Sequence, residues 1–341
     1  MAQINKPGLH FNPKAYTGNA GTQSITGIGF RPDLTWIKRL NTTGGNMWTD
    51  VVRGVTKTII SNENSAEQTF ANGLTSFDSD GFSLGSEGGF NSSNTFTSFS
   101  WKAANSQGSS NTDGSINTTY TSVNTTAGFS ISTYEGTGSA ATVGHGLGAT
   151  PAMVLVKNID AAQNWLMYHQ GMPATKYLRL NLTNSQGTSA GPWNDTAPTS
   201  SVFSIGADGA VTGNGQTHVA YCFKEIKGYS KFGTYVGNGN SDGTFIYLGF
   251  KPAFILVKSI NSTTEWHVSD TSRRPENPNN SYISASSSAA ENTSNPTDFL
   301  SNGLKIKTSN NGWNKSGDTF IYWAFAENPI VGTNNIPAVA R

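Results

Sequence analysis

Apolar residues in this chain come in short runs, set between stretches rich in Gly, Asn, Ser and Thr. Phe96-Thr97-Ser98-Phe99-Ser100-Trp101 alternates with period two, as a strand with one covered face does. Val154-Leu155-Val156 and Ile255-Leu256-Val257 are apolar at every position, which predicts strands covered on both faces, and Phe320 to Phe325 reads the same way. The runs favour β-branched and aromatic residues and the separators favour turns, so the pattern predicts many short strands. Helical periodicity is weak everywhere. The best helix candidate, Ala285 to Asn292, is serine-rich and predicts no more than a turn or two.

The strand pattern recurs three times. Each copy opens on Tyr-x-Gly: Tyr16-Thr17-Gly18, Tyr134-Glu135-Gly136 and Tyr235-Val236-Gly237. A proline then leads an apolar run ending in lysine: Pro32 to Lys38, Pro151 to Lys157, Pro252 to Lys258. A tryptophan follows each lysine, Trp48 at ten residues and Trp165 and Trp266 at eight, and an aromatic strand closes each copy. The period of roughly 100 residues exceeds that of solenoids, so each copy reads as a domain. Seven or eight short strands per copy predict an all-β chain of three tandem related antiparallel β-sandwich domains, jelly-roll-like in kind. The boundaries are an N-terminal arm at 1–10, repeats at 11–104, 129–231 and 232–330, a linker or surface-hugging loop at 105–128, and a tail at 331–341. The second and third repeats adjoin and should hold a fixed relation. Arm and tail are expected to fray, or when ordered to lie on another subunit. The prolines suit strand starts, and the opening glycines are expected to supply a positive φ or a bulge.

Composition narrows the class. Charged residues make up 13% of the chain, against an average of about 25%. A net charge of +1 leaves no electrostatic footprint for nucleic acid or an anionic membrane. No run is long and apolar enough for membrane insertion, and Met1 to Lys14 lacks the apolar core of a signal peptide. Triplets such as Asn117-Thr118-Thr119 carry no weight as glycosylation sites without a secretory route. The single cysteine, Cys222, excludes an intrachain disulfide and reads as a small buried hydrophobe.

Candidate chemistry is thin. Gly81-Phe82-Ser83-Leu84-Gly85 has the letters of a nucleophile elbow but no strand-turn-helix context. The glycines of Gly144 to Gly148 lack the lysine of a phosphate cradle. His10, His145, His169, His218 and His267 show no metal-ligand spacing. Asp78-Ser79-Asp80-Gly81 lacks the further acids of a calcium loop and reads as a turn. No two carboxylates among Glu87, Glu135, Asp195, Glu225, Glu265 and Asp270 single themselves out as a glycosidase pair. No catalytic residue, cofactor or metal is therefore expected. Lys38, Lys157 and Lys258 read as strand-end charges that discourage edge pairing, and Trp48, Trp165 and Trp266 as equivalent core residues. Trp193, Tyr282 and Trp313, in variable segments beside Asn and Pro, are the candidate surface contacts.

Certain phrases resemble a known family. They are Ser24 to Asp33, Trp36-Ile37-Lys38, Asp50-Val51-Val52-Arg53-Gly54, Ser76 to Phe82, Val143 to Gly148, Gly228 to Gly233 and Asp298 to Gly303. Together they are similar to repeat-domain proteins of marine and aquatic tailed phages, over about Phe11 to Pro329. The resemblance implies a non-enzymatic virion structural protein, assembled in the host cytoplasm and exposed on the particle. A tail fibre or adhesion appendage is the first expectation and a capsid decoration protein the second. A soluble lectin follows, and a polysaccharide-degrading enzyme comes last. The implied partners are other virion proteins, further copies of the chain in a homo-oligomer such as a trimer, and a host surface glycan.

Overall fold

The predicted strands form, and the ladders between strands among the described residues are antiparallel, with one isolated parallel bridge from Ile116 to Val143. The structure, a computed structural model, describes residues 3–294 and 296–331. Each copy contributes one large sheet and one small one. In the first, the large sheet runs Phe11–Thr17, Thr95–Trp101, Leu34–Arg39, Asn46–Asp50, Lys57–Ile60, Gln68–Thr69. The other two copies keep this order, with the closing strand inserted between the opening strand and the strand after the proline. The small sheets pair Gln23–Thr26 with Gly81–Leu84 and Leu74–Asp78, Ala141–Gly144 with Val202–Ile205, and Phe245–Tyr247 with Gly303–Ile306 and Thr297–Leu300.

Several expectations need correction. Within the supposed linker, Tyr120–Asn124 pairs with Phe129–Glu135 and extends the second large sheet. From Gln3 on, the arm packs on its own chain: Ile4 and Pro7 are buried, and the Ile4 N–H donates to Lys227 O at 3.3 Å. Of the tail, residues 332–341 lie outside the described residues. Among the described residues, helix is confined to four one-turn α-helices, at Gly88–Asn91, Ala190–Trp193, Gly209–Thr212 and Asn311–Asn314, and a 3-10 turn at Pro7–Leu9, and none covers 285–292. The opening glycines serve close approach instead of a positive φ. A Cβ on Gly18, Gly136 or Gly237 would lie 2.0, 2.5 or 2.3 Å from a backbone oxygen beside the one-turn helix. The preceding tyrosines fix the same spot: the hydroxyls of Tyr16, Tyr134 and Tyr235 donate to Phe90 O, Val211 O and Trp313 O.

The large sheets explain the doubly apolar runs. Met153 and Leu155 join a core shared by all three copies, while Val154 and Val156 face the second copy's own small sheet. Phe254 and Leu256 divide from Ile255 and Val257 in the same way. Period-two geometry thus sends alternate residues into two different cores. At the centre, the equivalent residues Trp101, Phe223 and Phe325, one per copy, close a triangle of edge-on contacts with centroids 6.2, 6.0 and 5.8 Å apart. Such geometry adds to the large apolar area each ring removes from water.

The seams repeat cyclically. Glu67 N–H donates to Ile159 O at 2.8 Å, Gln186 N–H to Ile260 O at 3.0 Å, and Glu291 N–H to Leu40 O at 2.7 Å. Counted from the shared lysine, these are the same bond made from first copy to second, second to third and third to first. Three head-to-tail contacts therefore close into a ring inside one chain.

A shared centre predicts shared unfolding. Phe223→Ala should cost about 3–5 kcal/mol and leave one cooperative transition in guanidinium, seen alike by tryptophan fluorescence and far-ultraviolet circular dichroism. Stepwise loss of one copy would contradict the common core.

Candidate functional site

The residues that recur in the sequence meet at the seams. Strand register sets Trp36, Leu155 and Leu256 in equivalent places, which makes Trp48 the counterpart of Met167 and Val268. Trp48 is therefore not equivalent to Trp165 and Trp266, although all three are buried. Asn46 holds that position in the first copy. Trp165 Nε1 donates to Ile60 O and Trp266 Nε1 to Arg179 O, each at 3.1 Å, and Asn46 Nδ2 makes the matching bond to Ser284 O at 3.1 Å. One side chain from each copy thus clasps the same strand of the copy before it.

The repeated lysines lie beneath these clasps, fully buried, so they are not edge-guarding surface charges. Lys157 Nζ donates to Asn158 O, Ala161 O and, across the seam, Asn64 O. Lys38 Nζ reaches Gly44 O and, in the third copy, Ser287 O. Lys258 Nζ binds Ser259 O, Ser262 O and Thr264 Oγ1. Burial lowers all three to about 8, while the ring of acceptors satisfies the donors.

Two seams also carry a buried charge cluster. Arg53 bonds Asp50 Oδ2 at 2.6 Å and Glu67 Oε2 at 3.0 Å; Arg273 bonds Asp270 Oδ2 at 2.5 Å and Glu291 Oε1 at 2.6 Å. Burial opposes the Arg53 charge, but Asp50, Tyr221 and Glu67 outweigh it and raise its pKa. The second copy has His169, Met172 and Gln186 at these places. His169 is held far below its usual range, to about 4, by burial, and its Nε2 pairs with Tyr322 O at 3.1 Å.

Other sequence candidates are engaged structurally. Ser83 sits in a strand and its Oγ donates to Asp78 Oδ2 at 2.6 Å, so the Gly-x-Ser-x-Gly string forms no elbow. The Asp80 carboxylate caps the Gly27 and Gly29 N–H groups, which lowers its pKa. Cys222 lies in the second copy's core, where burial raises its thiol far above the usual range. No cluster of three or more His, Cys, Asp or Glu residues among the described ones could hold a metal ion.

Of the three candidate contact residues, Trp193 and Trp313 are not exposed. They are 1% and 0% accessible, packed in the cores of the second and third copies beneath one-turn helices. Tyr282 alone remains half-exposed, tilted against His267 with centroids 4.5 Å apart and edge-on to Trp313 at 6.2 Å. It lines a cleft of about 370 Å³ where Thr183 of the second copy meets the third. A second cleft, also of about 370 Å³, lies where Tyr16, Leu40 and Phe96 of the first copy face Ser272, Arg274 and Glu291 of the third.

The sequence reading missed Asn46 and the seam residues Glu67, Gln186 and Glu291. The signal was present: a tryptophan at ten residues after the lysine, where the other copies have eight, marks a position filled by something else.

Residues 6–329 match the family described as Domain of unknown function (DUF7483). None of the curated proteins is detectably similar to the chain.

The titrating groups set a pH dependence. Lysines lowered to about 8 bind fewer protons folded than unfolded, so stability should climb as pH rises from about 8. Cys222 and the buried Tyr16, Tyr134, Tyr221, Tyr229 and Tyr235 are raised by burial, so they hold protons that the unfolded chain releases, and stability should turn down near pH 10. A series of Tm values from pH 7 to 11 checks the maximum, and Lys157→Met should flatten the rise. Separately, Arg53→Met should cost about 3–5 kcal/mol by leaving Asp50 buried without its cation, measured by urea unfolding.

Proposed function

The chain belongs to the DUF7483 family, and we propose that it is a non-enzymatic structural protein of a tailed-phage virion, an exposed tail-fibre part or adhesion appendage. The observation that carries the reading is the closed ring. The three copies, which this reading takes as related β-sandwich units, jelly-roll-like in kind, cover one another's large sheets around a common aromatic centre. Their recurring charged groups are bound to one another or to backbone at the seams. In this reading contact is made by the outer loops, rich in Gly, Asn, Ser and Thr, on a body whose units hold one another in place. Such a surface recognises by hydrogen bonds and shape, as a part touching a host envelope does. The resemblance of Ser24 to Asp33, Asp50 to Gly54 and Gly228 to Gly233 to phage repeat-domain proteins supports the same reading. Other virion proteins, further copies of the chain and a host glycan are its partners in this reading, and the particle surface its location.

The ring also favours a second reading, a capsid decoration protein. One chain with approximate threefold symmetry fits a threefold or quasi-threefold position in a shell without first forming a trimer.

Quantitative mass spectrometry of purified particles separates the readings. A few to a few tens of copies per virion are expected for an appendage. Hundreds would make it a decoration protein, and absence from particles would remove both.

A further inference from the structure

The cleft beside Tyr282 has no counterpart in kind at the same place in the other copies. Register makes His267 equivalent to Leu166 and Met47, apolar residues in their own cores. It makes Tyr282 equivalent to Tyr177 and Thr58. Tyr177 is covered by Arg179, whose guanidinium lies 4.9 Å over the ring and donates to its hydroxyl, and Thr58 is buried against Thr49. Only the third copy sets a buried imidazole beside a half-exposed tyrosine at this position.

We propose that this cleft is a binding site for one ring of a neutral saccharide, lying on Tyr282 with its hydroxyls shared among Glu265, Thr183 and Asn311. The proposal deepens the adhesion reading and rests on it.

Four observations carry it. The cleft is an open one of about 370 Å³ that joins two copies, within the range of small-molecule sites and at the kind of junction they favour. Tyr282 offers a flat apolar ring, the surface that the C–H face of a pyranose covers. The Glu265 carboxylate is oriented by the Ser284 and Ser286 hydroxyls, both donating to Oε2 at 2.5 Å. Buried His267 lines the cleft beside Gly312, and its Nδ1 has no hydrogen-bond partner among the described residues.

The charge of the lining selects the sugar class. Among the described residues no lysine or arginine lines the cleft, and Glu265 contributes a carboxylate. Burial lowers His267 to about 3, so its ring is neutral at physiological pH. Lys258 lies behind the wall, engaged by Thr264 Oγ1 at 3.2 Å. An acidic sugar would meet a carboxylate with no facing cation, whereas a neutral one meets hydroxyl, amide and carboxylate groups that can pair with its own.

Saturation-transfer NMR on the full chain tests this with cellotetraose, mannotetraose and chitotetraose as neutral probes and tetragalacturonate as the acidic one. Transfer to at least one neutral probe is expected, weakened about tenfold or more in Tyr282→Ala. Glu265→Gln should weaken the same probe, while Tyr247→Ala, at a ring 56% exposed elsewhere on the third copy, should not. Should Tyr282→Ala lose its thermal transition, Glu265→Gln decides the matter alone. Binding to none of the neutral probes, binding to the acidic probe alone, or neutral binding unchanged in the folded variants overturns the proposal. The result is independent of the particle count: a chain absent from virions that binds through Tyr282 sinks the virion reading and keeps the site.

Discussion

The arrangement depends on covering a second apolar face. Each large sheet is apolar on both sides at its central strands, and its own small sheet covers only one side. The other must meet an equally apolar surface or remain in water, where an exposed patch of that size invites association. The copies solve this by covering one another, with Trp101, Phe223 and Phe325 meeting at the centre. Once three sheets meet there, their margins face each other in fixed register. The cyclic bonds of Glu67, Gln186 and Glu291 follow from that geometry. So does the burial of Lys38 and Lys157, whose ammonium groups reach Ser287 O and Asn64 O of the neighbouring copy.

The symmetry is kept in the backbone and varied in the side chains. The seam hydrogen bond recurs in all three junctions, yet the clasping group is tryptophan twice and asparagine once. The charge cluster recurs twice and gives way to His169, Met172 and Gln186 in the second copy. That replacement suggests that the buried ion pairs are not the main source of cohesion. A buried pair gives little net stability over a packed uncharged set, although breaking one by halves is costly. The constant elements are the aromatic centre and the backbone bonds.

Much of this was legible in the sequence, within limits set by what sequence spacing encodes. Period-two alternation and doubly apolar runs identified the strands and their burial, because the side-chain period of a strand is fixed by its geometry. The lysine spacing identified the three copies. What spacing does not encode is which surface covers the second face, so the lysines looked like strand-end charges and the copies like beads in a row. Trp193 and Trp313 were misplaced for a related reason. Neighbouring Asn, Pro and Gly signal a turn, and here those turns are one-turn helices that fold a tryptophan inward over the core. Tyr282 kept its half-exposed place because its strand, Ile283–Ser284, begins one residue later at the sheet's margin.

Building the ring within one chain has a consequence for recognition. A homotrimer must place identical residues at all three junctions, so any site at a junction appears three times, and the assembly depends on concentration. Tethered copies find each other at high effective concentration, and their sequences are free to diverge wherever the shared centre does not constrain them. The junctions diverge in this way. The second copy's cleft position is closed by Arg179 over Tyr177, while the third holds His267 and Tyr282 around an opening. A frame held symmetric by its core and asymmetric at its rim can set one distinctive surface at one corner while the same backbone bonds hold all three seams.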